Sequence, residues 1–331
     1  MNEIDFVIFW VDGSDPAWLA EWQRAKKAEA QEGDDVSPIR IRYWRNLHYW
    51  FRAAERFAPW VRRIHLVTWG HLPDWLRRDH PRLRIVRHEE FIPAEYLPTF
   101  NSLTIGMNLH RIEGLAERFV VFNDDMFLTR PCRPEDFFRR GLPCDMARLS
   151  VVQPSSIGHI QYNNLELINA KYRKNRAILA HPGKWFSPRY GLSDLLKTLT
   201  LIPWSMFTGM LDHHVPQPVL RSHWEACWRE WHAALDATCR HTFRNLTNVS
   251  DYLFRYDMLA SGAFSPRSMR DCRLMTLSDE TIGAICRDIE RQRWRMICLN
   301  DSERIADFEA MCARLDGAFE HILPEKSSYE L

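Results

Sequence analysis

Three segments far apart in the chain end an apolar run in carboxylates: FWVDGSD at 9–15, VFNDDMF at 121–127 and CLNDSE at 298–303. Adjacent carboxylates at the edge of a core are costly unless a positive group meets them. Turns and helix caps also favour Asn and Asp, so each segment has an ordinary structural reading too. If the three ends lie side by side, Asp12, Asp124, Asp125 and Asp301 converge on one edge. An all-oxygen donor set suits Mg²⁺ or Mn²⁺, ions that complete their shell with phosphate oxygens and water. A nucleotide diphosphate is the natural companion of such an ion. Neither GxxxxGK[ST] nor GxGxxG occurs, so metal and arginines must do the neutralising that a glycine-rich loop does elsewhere.

DHHVPQPVLRSH (212–223) offers His213 and His214 as a general base, or simply as surface histidines on a Pro-rich loop. Arg244, placed at the start of an amphipathic helix, could grip phosphate oxygens bidentately or form a surface ion pair. GxSxG and HExxH are absent, and no cysteine lies in an evidently electropositive turn, so covalent catalysis has little support.

The elements that must position these residues alternate. IDFVIFWV (4–11) is β-branched and aromatic and stops at DGSDP; a polar helix runs from Pro16 to about Gln31. Helical spacing of apolar residues covers 42–58, and further strands are expected at 62–70, 83–87 and 118–123. A short helix is expected from Pro73, and another between Ser102 and Glu117. This alternation predicts a mostly parallel sheet with helices on both faces, with ligands beyond the carboxyl ends of its strands. Residues 1–150 form that α/β core, 151–275 a mostly helical insertion, and 276–331 a helix, strand and helix returning to the core, all within one catalytic domain. The final helix is expected from Ser302.

Composition bounds the rest. The 331 residues carry a formal charge of +1, which gives no field for nucleic acid. Fourteen tryptophans suit either a Trp-rich core or stacking on sugar rings. Eight cysteines without CxxC spacing read as reduced core thiols in a cytoplasmic protein. The most apolar stretch, 192–211, is broken by Asp194, Lys197 and Pro203 and is expected to pack in the core, with a membrane-surface contact as the alternative. The basic run KYRKNR (171–176) is expected to be a solvated helix face.

Taken in order, IDFVIFWVDGSDPAW, FAPWVRRIHLVTWGHLPDWL, LPTFNSLTIGMNLHRIEGLAERFVVFNDDMFL, HHVPQPVL with FRNLTNVSDYLF, and MICLNDSE resemble the four conserved regions of the Stealth family. The tail ILPEKSSYEL is similar to the ending of bacterial members. The resemblance implies a glycosyltransferase-A-like core, a UDP-linked nucleotide-sugar donor, a divalent metal and a glycan acceptor. It further implies transfer of a sugar-1-phosphate to an acceptor hydroxyl in capsular or exopolysaccharide synthesis. Ordinary glycosyl transfer is the alternative, and a non-catalytic glycan-binding module a second. By the same resemblance Trp10, Asp12 and Gly13 lie against the nucleotide, and Arg42, Asn101 and Ser102 line the donor pocket. Asp125 and Asp301 hold the metal, while Asp124, His214 and Arg244 are catalytic. Peripheral attachment to the inner membrane or to a polysaccharide assembly fits that role. The chain departs from the family pattern at Asn46, where Glu is common, and at TWGH (68–71).

Overall fold

The computed structural model describes residues 3–331. Strands β1 (Ile4–Phe9), β2 (Ile64–Thr68), β3 (Leu83–Arg87) and β4 (Arg118–Asn123) are parallel neighbours in the order β3-β2-β1-β4. A short β5 (Met126–Leu128) follows the Asp124–Asp125 turn, and β6 (Gln217–Leu220) closes the main sheet antiparallel to β4. Strand β7 (Cys272–Thr276) runs parallel to β8 (Met296–Asn300), which pairs antiparallel with β5 in a second, three-stranded sheet. The architecture is therefore mixed α/β around a largely parallel sheet.

Parallel central strands are buried on both faces and read as continuous apolar runs. β1 does so from Phe6 to Phe9, with Phe6 and Ile8 in one apolar layer and Val7 in the other. The first layer is completed by helices α2 (Leu47–Phe57), α9 (Ile282–Glu290) and α10 (Phe308–Ile322). The second is completed by α3 (Ser102–Asn108), α4 (Ser156–Lys171), α5 (Lys174–Ala180), α7 (Arg221–Glu230) and α8 (Tyr252–Ala260). α1 (Pro16–Glu29) follows the β1 loop, and α6 (Leu192–Thr200) lies in the helical segment. Trp50, Trp185 and Trp224 are among the largest fully buried side chains, so tryptophan is used chiefly to fill the core. All eight cysteines are free.

Several boundaries differ from the sequence expectation for identifiable reasons. The 42–58 helix starts only at Leu47, because Pro38–Ile41 forms a 3₁₀ turn and Arg45 adopts a left-handed φ of 57°. No helix follows Pro73. The Arg77 amide donates to Tyr329, and the Leu331 amide to Trp75, so the C-terminal tail claims that backbone. The last helix waits for its cap at Asp307, whose carboxylate accepts the Ala310 amide. Arg244 stands not on a helix but in a two-residue strand pairing with Asp35.

The stretch 192–211 is only partly interior. Leu192, Leu196 and Leu199 of α6 face solvent, as do Trp204 and Met206. Within KYRKNR, Lys174 is buried, its ammonium capping the carbonyls of Leu201 and Ile202 at 2.6 and 3.0 Å.

Candidate active site

Sheet register explains why residues about 90 and 175 positions apart in sequence come to meet Asp125. β1 and β4 pair Phe9 with Asn123, so the Asp12 loop and the Asp124–Asp125 turn leave the sheet at one edge. β6 runs the other way, pairing Gln217 with Val121, which brings His214, three residues before Gln217, up to the end of β4. β8 pairs Cys298 with Met126, and the Leu299 amide donates to the Asp125 carbonyl at 2.8 Å.

The result is a cluster around Asp125. The Cys298 thiol donates to its Oδ2 at 3.2 Å, and His214 Nε2 lies 3.9 Å from the same oxygen. Oδ1 is buried without a partner among the described residues. Burial raises the Asp125 carboxyl above the ordinary carboxylate range and the His214 charge opposes that rise. Burial also lifts the Cys298 thiol well above its usual value, with the Asp125 charge adding to it, so it sits as a neutral donor. Asp124 is reachable by water yet ringed by protein; desolvation, and then the neighbouring Asp125, push it up to about 7.

His214 adopts a left-handed φ of 46°, a conformation unfavourable for a residue with a Cβ unless its surroundings impose it. Two residues earlier, Asp212 supplies the restraint. Its carboxylate accepts Arg255 at 2.9 Å, Tyr256 at 2.7 Å and Gln161 at 2.7 Å. His214 Nδ1 meets the Tyr252 hydroxyl at 3.2 Å, also on α8. Burial raises the Tyr252 phenol well above its normal range, so it stays protonated.

Asp301 takes up a separate position on the rim. Oδ1 accepts Arg42 at 3.1 Å and the Ser302 amide at 2.7 Å, while Oδ2 accepts the Trp44 indole at 3.1 Å. Oδ2 therefore keeps a lone pair. Asp12 caps its own turn, accepting the Ser14 amide and hydroxyl at 2.8 and 2.5 Å. Its amide donates to His71 of TWGH at 2.7 Å. Tyr43, whose phenol is raised first by burial, lies in the field of both Asp12 and Asp124. Trp10 packs edge-on against Tyr43 and His71. Gly13 passes so close to Ile41 that a Cβ there would lie 1.7 Å from its carbonyl oxygen. The turn holding Arg42 therefore rests on the bare backbone of Gly13.

Arg244 donates to the Ser102 hydroxyl at 2.6 Å. Its backbone partner Asp35 gives its carboxylate to Arg40 at 2.7 Å, leaving Arg244 without an ion pair among the described residues. Enclosure lowers the guanidinium to about 10. The Asp251 carboxylate lies in the field of both His214 and Arg244, which sets the two side chains along one wall. Asn101 is different in kind. It is fully buried, caps α3 through the Leu103 amide and spends its NH₂ on Asn248 at 2.9 Å, so it props the wall from behind.

Asp125 and His214 thus meet directly, and Arg244 meets Ser102. Asp12 and Asp301 share the rim but bind other partners. Among the described residues, the three-donor group around Asp125 is completed by His214 and Cys298 rather than by Asp301. Sequence reasoning missed Cys298, Tyr252, Tyr43 and Trp44. The Cys298 position in CLND, two residues before the Asn-Asp pair, was the available signal for the first; the tyrosines carried none.

A family model described as Stealth protein CR2, conserved region 2, matches residues 40–144, the stretch holding Arg42, Ser102, Asp124 and Asp125. Along its full length the chain is 36% identical to a capsular polysaccharide phosphotransferase, WcwK, of Streptococcus pneumoniae, covering 98% of that protein. It is 35% identical to the receptor polysaccharide phosphotransferase WefC of Streptococcus oralis over all of both chains. It is 36% identical to the exopolysaccharide phosphotransferase cps2G of Lactiplantibacillus plantarum, over 99% of this chain and 96% of the other. Mouse xyloside xylosyltransferase 1, solved in its apo form, aligns over 90% of this chain and 97% of its own at 10% identity and a TM-score of 0.36.

Proposed function

We propose, because the chain belongs to the Stealth family of bacterial polysaccharide phosphotransferases, that it moves a sugar-1-phosphate from a nucleotide-sugar donor, UDP-linked, to a hydroxyl of a glycan acceptor. The product is a phosphodiester in a capsular or exopolysaccharide. The donor lies beyond the carboxyl ends of β1, β2 and β4, the edge where open parallel sheets bind ligands, in the manner of a glycosyltransferase-A-like platform.

The free Oδ1 of Asp125 and the spare lone pair on Asp301 Oδ2 fit a hard divalent cation. Asp125 and Asp301 would hold Mg²⁺ or Mn²⁺, which when bound would neutralise the donor diphosphate. Arg244 carries the reading. An enclosed guanidinium without a carboxylate, beside Ser102 and in the field of the same Asp251 as His214, is suited to the oxygens of a transferred phosphoryl group. His214, with its proton on Nδ1 donated to Tyr252, presents the Nε2 lone pair to the acceptor hydroxyl. The acceptor oxygen bonds the β-phosphorus while the bond from that phosphorus to the bridging oxygen breaks. Nucleoside monophosphate departs with the bridging oxygen, and the hydroxyl proton passes to Nε2. Positioning and charge neutralisation suffice for such a transfer. Asp124 orients the acceptor or the metal's water shell. A nucleotide-sugar donor and free thiols suit the cytoplasm.

The test is a product analysis with a panel of nucleotide sugars, Mg²⁺ and an acceptor glycan. Monophosphate together with a phosphodiester-linked product supports the reading. Diphosphate together with a glycoside overturns it in favour of ordinary glycosyl transfer.

A further inference from the structure

No helix among the described residues is long and apolar enough to cross a membrane, yet one face of the molecule is built unlike the rest. α6 carries Leu192, Leu196 and Leu199 at i, i+4 and i+7, a spacing that normally points at a core. Here the stripe points outward, at 70%, 52% and 50% exposure, and Trp204 and Met206 in the next loop are 55% and 56% exposed. Monomeric soluble proteins rarely leave so many large apolar groups together in water.

Charge accompanies the apolar face. Residues 171–206 hold seven Lys or Arg and a single acid, Asp194, in a chain whose total is only +1. Asp194 is already paired with Arg148 at 3.4 Å. Arg173 at the N-cap of α5, Arg176 on it, Arg189 and Lys197 are exposed. Lys174 pins the start of α5 to the turn after α6 through the Leu201 and Ile202 carbonyls, which brings Arg173 and Arg176 to the end of the helix that carries the apolar stripe and Lys197. An outward apolar stripe, an adjacent Trp and a surplus of exposed bases are the elements of an interfacial membrane contact.

We propose that α6 and the Trp204–Met206 loop form a docking surface for an anionic phospholipid bilayer, with Arg173, Arg176, Arg189 and Lys197 meeting the headgroups. Leu192, Leu196, Leu199, Trp204 and Met206 enter the headgroup–acyl boundary. The surface is continuous with the active site in sequence: Met206 precedes His214 by eight residues. Met210 bridges to Leu149 between them, so the docked face and the catalytic loop share one strut.

The test is sedimentation of the full chain with vesicles of phosphatidylglycerol and phosphatidylcholine at 3:7, against vesicles of phosphatidylcholine alone. The expected result is binding to the anionic vesicles that weakens as salt rises, and at least tenfold weaker binding to the neutral ones. Leu196→Glu with Leu199→Glu should abolish it, and Arg173→Glu with Arg176→Glu should lower it about tenfold. Both variants should release nucleoside monophosphate at the wild-type rate with a water-soluble acceptor. Wild-type protein that ignores anionic vesicles overturns the proposal, as does undiminished binding by either variant. A wild-type dimer that Leu196→Glu with Leu199→Glu turns into monomer, without vesicle binding, assigns the face to a second copy instead.

Discussion

Nε2 of His214 stands 3.9 Å from Oδ2 of Asp125, although 88 residues separate them in the chain and His214 must adopt a left-handed backbone to get there. The contrast with Asp5 at the opposite edge of β1 is informative. Asp5 is fully buried, but Arg62, His65 and the Ala116 amide satisfy it at 2.5–3.0 Å, and the Arg62 and His65 contacts outweigh its burial to hold its carboxyl below the usual value. Asp125 is left with an orphan oxygen and a raised carboxyl. The first carboxylate is structural; the second keeps a buried oxygen that no neighbour among the described residues satisfies.

Asp125→Asn preserves shape and removes the charge. Turnover is expected to fall on the order of 10³-fold, while the melting temperature holds or rises, because the charge on an unpartnered buried oxygen is gone. The wild type should melt higher with Mn²⁺ than with a chelator, and the variant should show no difference. A variant that still gains stability from Mn²⁺ removes Asp125 from the metal site.

Two substitutions of His214 separate chemistry from backbone. Asn tolerates the left-handed conformation and Ala does not, so His214→Ala should be about 1 kcal/mol less stable than His214→Asn in urea denaturation. Both should lose roughly 10²- to 10⁴-fold in kcat. An active His214→Asn enzyme would end the proton-acceptor role.

At Gly13 the obstacle is steric, since the missing Cβ would fall 1.7 Å from the Ile41 carbonyl oxygen. Gly13→Ala should push the Pro38–Ile41 turn aside, loosen Arg42 from Asp301 and cost about 1–3 kcal/mol. Donor KM should rise more than kcat falls. Unchanged KM and melting temperature would show that the turn adapts freely.

Arg244→Ala should lower kcat/KM by about three orders of magnitude, as expected for loss of a transition-state charge donor. Folding stability should stay level or improve, because an enclosed cation without a counter-ion contributes no net stability. Arg244→Lys should recover only part, lacking the planar fork. Destabilisation by Arg244→Ala would instead mark it as a structural strut.

Acid should destabilise the fold through two buried histidines. His88 and His110 are buried, and desolvation pushes each down to about 4 from 6.5. Between those values the unfolded chain binds protons that the native state refuses, so stability falls as pH drops from 6.5 towards 4. The slope is up to about 1.4 kcal/mol per pH unit for each. Urea titrations across that range should show a shallower slope for His88→Gln, by about one proton. An identical slope would place the acid sensitivity elsewhere.

The local signals in the sequence were sound where a short stretch carries its own information. Mostly apolar runs specified β1, β2 and β4, and β3 falls at 83–87 as its pattern predicts. The Asp-Gly and Asn-Asp endings marked where those strands stop, because turn chemistry is written in the turn residues themselves. The order of the conserved blocks carried the family.

What remained for the tertiary structure was decided by pairings between distant segments. Cys298 reaches Asp125 only because β8 pairs antiparallel with β5, and Tyr252 reaches His214 only because Arg255 and Tyr256 on the same helix grip Asp212. A strand's sequence states which residues alternate, not which neighbour it will choose. Likewise, the spacing of Leu192, Leu196 and Leu199 makes a stripe but cannot say whether it turns inward. The packing of the rest of the molecule sets its direction, and here it faces out.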